Sequence, residues 1–92
     1  MDPKHEPASE SRVHQELLRA HLETGFSLAH VAELALDNGH AGDFKRALAE
    51  ARNAIAEVKR LLPAATAGSA DDYRSEMELL EFELHDLETR GS

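Results

Sequence analysis

The chain has 92 residues, no cysteine, 41% hydrophobic residues and a formal net charge of -8. That length makes one small domain, and the missing cysteines exclude disulfides and thiolate metal sites. The acidic balance argues against nucleic acid and anionic membrane surfaces, both of which bind through basic residues.

With aromatics at 4%, packing falls to Leu, Val and Ala, which suit closely packed helices better than sheets. Residues 1–8 hold Pro3 and Pro7 among charges and read as a disordered N-terminal arm. No apolar stretch there or later has the length of a signal peptide core or a membrane span, so cytoplasmic residence is expected.

A first helix is predicted over about 10–37, with Ser9 or Ser11 as its cap. It carries two apolar lines, each advancing in steps of three and four. One runs Val13, Leu17, Ala20, Thr24, Leu28, Val31, Ala35. The other runs Leu18, Leu22, Gly25, Ala29, Ala32, Leu36. A helix with one neighbour needs one such line, so this helix has faces for at least two. Gly25 costs about 1 kcal/mol relative to Ala inside a helix; close approach of a neighbour or a kink would each account for it. Asp37-Asn38-Gly39 ends the helix, with Asn38 or Gly39 suited to the left-handed position.

The second helix is expected over about 42–62, its face formed by Phe44, Ala47, Leu48, Ala51, Ala54, Ile55, Val58, Leu61 and Leu62, and Pro63 stops it. A loop of small residues follows. Ser69-Ala70-Asp71-Asp72 then reads as a cap with acids in the first turn of a third helix, about 70–89, whose core line is Ala70, Tyr73, Met77, Leu80, Leu84, Leu87. Charge is partitioned along these elements. Residues 1–42 carry seven acids against three bases, 43–62 three against five, and 63–92 eight against two. A basic second helix between acidic neighbours predicts complementary packing of helices two and three. Three helices with short connections alternate in direction, which gives an all-α, up-down-up antiparallel three-helix bundle.

Phe82 falls nearly opposite the core line of the third helix at about 100° per residue, and Leu79 lies close to it. Phe26 stands outside both lines of the first helix. These leftovers, with the doubled line, predict a second buried surface formed by Leu18, Leu22, Gly25, Phe26, Ala29, Leu79 and Phe82, most simply in a homodimer, with a protein or helical-peptide partner as the next reading and a plain monomer with ordinary exposed apolar residues as the third.

Six histidines need weighing. His14 and His21 share one face of the first helix about 10 Å apart along the axis at 1.5 Å per residue, too far for one metal ion. Satisfied boundary histidines are the bland expectation. A metal- or pH-responsive bundle using His14, His21, His30 and His85 is the alternative, with His30, Glu81 and His85, and Glu50 beside them, as a conceivable site. Catalytic signatures do not emerge. The Glu-x-x-His pairs of di-iron bundles are missing, as are a His-Glu-x-x-His zinc helix and a phosphate-binding glycine loop. The expectation is a non-enzymatic chain with no cofactor or metal.

Gly42-Asp43-Phe44, then Ala47-Leu48 and Ala54-Ile55, resembles the turn and second helix of a tetratricopeptide repeat. Gly frees the turn, Asp caps and the small residues let two helices approach. Pro63 stands about one turn later than in that repeat, and no second copy follows, so a superhelical array is excluded. A three-helix unit with this hairpin, residues 42–63 mainly, also resembles the microtubule-interacting and transport domain. That resemblance implies an interaction module that holds short helical peptides in grooves between its helices.

Overall fold

The computed structural model describes residues 5–65 and 67–91. It contains three helices, α1 (His5–Asp37), α2 (Ala41–Leu61) and α3 (Ala67–Gly91), with a 3-10 turn over Leu62–Ala64 between the last two. The fold is an antiparallel three-helix bundle with dimensions of 58 × 22 × 15 Å, in which α1 packs against both other helices. The long dimension comes from α1, whose 33 residues extend about 50 Å at 1.5 Å per residue.

The second apolar line of α1 is the one that builds the core. Leu18, Leu22, Ala29 and Ala32 are buried there with Ala47, Ala51, Ile55 and Val58 of α2 and Met77, Leu80, Leu84 and Leu87 of α3. Gly25 accounts for the closeness of the packing. A Cβ at that position would overlap Leu80 Cδ2 and meet Ala54 Cβ at 3.5 Å. α1 runs unbroken through Gly25, and this close approach accounts for the glycine. At the other end Gly91 lies against the Phe44 ring, and α3 runs to residue 91, two residues beyond the expected end.

The turn after α1 follows from three residues. Gly39 takes φ +74°, its N–H donates to Leu36 O at 3.1 Å and the His40 N–H donates to Ala35 O at 2.8 Å, the paired bonds that close a helix on a left-handed glycine. Asn38 Nδ2 donates to Leu34 O at 2.9 Å. α2 then starts at Ala41 behind His40, whose side chain makes no capping bond. Asp43 is therefore inside the first turn, where it favours the helix dipole and reaches Arg46 at 3.7 Å; it is not the cap that the repeat-like turn implies.

Several boundaries differ from the pattern-based expectation. α1 starts at His5, four residues before Ser9, and Pro7 is accommodated because the first turn has no N–H bond to lose. Neither Ser9 nor Ser11 is a cap, and residues 1–4 of the expected arm lie outside the described residues. Pro63 stops α2 as expected, at Leu61, but does not open the loop directly. It sits within the 3-10 turn, where its missing N–H is again harmless, and Ala65 N–H closes that turn on Leu62 O at 3.0 Å. α3 begins at Ala67, so Ser69 is inside the helix and does not cap it.

The charge partition does act between α2 and α3. Arg52 bonds Glu88, with Nε donating to Oε2 at 3.1 Å, and Lys59 Nζ lies 3.0 Å from Glu81. Arg90 ties α3 to Glu33 of α1 at 3.5 Å. These side chains are all partly exposed, and pairs of this kind contribute about 0.2–1 kcal/mol each, so they fix register more than they add stability.

Candidate functional site

Four of the seven residues expected on an association surface are core residues of this chain. Leu18, Leu22, Gly25 and Ala29 are buried between α1 and its two neighbours, and that part of the expectation is corrected. Phe26 is half-buried against the same core, at the edge facing α3. Leu79 and Phe82 are exposed, at 61% and 71%, on the outer side of α3.

The exposed apolar face of α1 is the other line. Val13 is 52% exposed, Leu17 42% and Val31 48%, and Leu34, which belongs to neither line of the sequence pattern, is 48% exposed. The line as read from sequence divides at its C-terminal half. Leu28 turns half inward and Ala35 is buried against α2, while the exposed track continues through Ser27, Val31, Leu34 and Asn38. From Val13 to Asn38 it advances by alternating steps of four and three, the 3.5-residue repeat of a coiled-coil seam. Ala20, Thr24 and Ser27 are its small middle positions, all exposed, and no charged residue interrupts it.

Beside the C-terminal half of this seam, α1 and α2 enclose a surface groove of about 330 Å³. Leu28, Val31, Leu34 and Ala35 form its α1 wall, and Asp43, Arg46, Ala47 and Glu50 its α2 wall. On the opposite flank, α1 and α3 enclose a polar groove with Phe26, His30 and Glu33 facing Glu83, Asp86 and Arg90. Tyr73 closes the N-terminal end of that flank, its hydroxyl donating to Gln15 O at 3.3 Å.

The histidines are dispersed. His14 and His21 are half-buried, as expected of boundary residues, and His30 and His85 are exposed. Parallel α1 and α3 do bring His30 to the height of Asp86, but Glu81 points to Lys59 on the α2 side and Glu50 lines the α1–α2 groove. The conceivable His30–Glu81–His85 site with Glu50 is thus spread over different faces and is corrected. Among the described residues no group of three or more His, Asp or Glu side chains is placed to hold a metal ion.

One carboxyl is perturbed by a neighbouring guanidinium. Arg60 donates to Glu57 Oε1 from Nε at 3.0 Å and from Nη2 at 2.5 Å. This hydrogen bond, with the positive charge of Arg60 and His21 nearby, holds the Glu57 carboxyl below its ordinary value. Among the described residues no polar or charged side chain is buried. No helix among them is long and apolar enough to cross a membrane. Comparison with protein-family models, curated proteins and solved structures finds no match.

Proposed function

We propose that this chain is a small, non-catalytic, cytoplasmic interaction module that self-associates through the outer face of α1. The observation that carries the reading is the uninterrupted seam from Val13 to Asn38, exposed along its whole length in the single chain. The bundle satisfies its own packing with the other line of α1, so the fold does not require this second periodicity. A line at coiled-coil spacing, apolar at Val13, Leu17, Val31 and Leu34 and small or polar between them, is what a helix presents to another helix. Covering it gains roughly 25 cal/mol per Å² of apolar surface, less the cost of association.

The α2 face that resembles a tetratricopeptide hairpin is used up inside the chain, with Phe44, Ala47, Leu48, Ala51 and Ala54 all buried. A peptide held between helices, as the microtubule-interacting resemblance implies, would have to enter the α1–α2 groove from outside. The test is solution mass by light scattering for the native chain and for Leu17→Glu and Phe82→Glu. Leu17→Glu lowers the mass to that of one chain with helicity retained, and Phe82→Glu leaves it unchanged. The converse result would move association to α3.

A further inference from the structure

The two edges of the α1 seam differ in charge, and this selects a geometry. The edge next to α2 carries His14, His21, Leu28 and Ala35, with no acid; the opposite edge carries Glu16, Glu23, His30 and Asp37. The α2 shoulder above the groove bears Asp43, already paired with Arg46, and Glu50. A parallel second copy would set its acidic edge against this shoulder, because parallel coiled coils pair unlike edges. An antiparallel copy pairs like edges, so the acid-free edge meets the shoulder and Glu23 comes opposite His30. Glu16 and Asp37 then face each other only at the exposed outer ends, where solvent and salt screen them.

Side-chain size points the same way. In the antiparallel register centred between Gly25 and Phe26, Leu17 meets Leu34, Ala20 meets Val31 and Thr24 meets Ser27. Leu17 with Leu34 is a large pair, Thr24 with Ser27 a small one, and Ala20 with Val31 and Val13 with Asn38 set a smaller or polar residue against a valine. A parallel register stacks Ala20 on Ala20 and Ser27 on Ser27, leaving gaps between Leu and Val layers. The seam of 26 residues is about 39 Å long at 1.5 Å per residue. Antiparallel docking adds the α2 shoulders of both copies, because it places them on the same side of the seam.

Resting on the self-association proposed above, we infer that a second copy of this chain docks antiparallel along α1, with Leu17 of each copy seated in the other's α1–α2 groove beside Leu34. The absence of cysteine makes the register directly readable. Ala20→Cys and Val31→Cys are prepared as separate chains and oxidised alone and as a mixture, with light scattering on the same samples. In the antiparallel dimer two Ala20 positions lie about 16 Å apart along the axis at 1.5 Å per residue. That exceeds the roughly 7 Å that a disulfide spans between Cα atoms. The expected result is a covalent dimer in the mixture only, joining one variant to the other. Self-linking of Ala20→Cys overturns the antiparallel register in favour of a parallel one. A dimeric mass without any cross-link overturns docking on α1 while self-association through another face survives. A single-chain mass throughout overturns both and leaves the groove to a different helical partner.

Discussion

Replacing Gly25 with Ala sets two known effects against each other, and the structure fixes which one wins. Alanine is better than glycine in a helix interior by about 0.8–1 kcal/mol, so at an open position the substitution stabilises. At Gly25 the new methyl overlaps Leu80 Cδ2. Leu80 is 0% exposed and cannot swing into solvent, so the core must shift, at a cost of about 1–3 kcal/mol for overpacking. The expected net effect is a loss of about 0–2 kcal/mol. The Leu80→Ala background reverses the sign. That substitution alone costs about 2–5 kcal/mol, and within it Gly25→Ala gains its full helix propensity and fills part of the cavity, stabilising by about 1 kcal/mol. A double-mutant cycle therefore returns a coupling of about 1–3 kcal/mol. Urea unfolding followed by far-ultraviolet circular dichroism measures it, at one fixed chain concentration because association shifts apparent stability. Stabilisation of about 1 kcal/mol in both backgrounds would refute the close contact between α1 and α3.

Three further expectations follow from named contacts. Leu22→Glu, placing a carboxylate at a site 2% exposed, loses both the buried leucine and the solvation of a charge and unfolds the chain, whereas Leu17→Glu stays within about 0.5 kcal/mol in the single chain; circular dichroism separates the two. Gly39→Ala forces a side chain into φ +74° and costs about 1–2 kcal/mol, read as a lower midpoint of thermal unfolding. Glu57 stays ionised to lower pH folded than unfolded, since Arg60 lowers its folded value. Its stabilisation is fully present above the unfolded value and disappears as pH falls through the folded one. Glu57→Gln should therefore shallow the acid side of the stability–pH profile and leave its alkaline side unchanged.

The fold was legible because its signals are redundant. The face of α2 from Phe44 to Leu61, the Gly39 turn and the basic–acidic match of α2 with α3 are each stated locally by residue type, and each recurs in the structure. Helix ends were less legible. Pro63 does stop α2, which ends at Leu61, but Pro7 falls in the first turn of α1, where a missing N–H costs nothing. The surface was half legible. Both lines of α1 are visible in the sequence, but periodicity alone does not say which one faces inward. The polar content does. The line containing Thr24 and continuing through Ser27 to Asn38 is the wet one, while the line holding Leu18, Leu22 and Gly25 has the large and small residues of a tightly packed contact. Leu34 is hidden in the sequence because the apolar residues Leu28 and Ala35 continue the first line toward α2, whereas the exposed track keeps the 3.5-residue repeat through polar Ser27. The histidine cluster failed for a different reason. Height along parallel α1 and α3 can be inferred from spacing, but the flank on which Glu81 and Glu50 emerge depends on how α2 is placed between them.

The most direct test of the central claim is sedimentation equilibrium of the unmodified chain across a dilution series at neutral pH. Self-association through the α1 seam predicts twice the 10.1 kDa of one chain at high concentration, falling toward the single-chain mass on dilution. A mass of one chain at every concentration would contradict it and leave the exposed seam without a second copy to cover it.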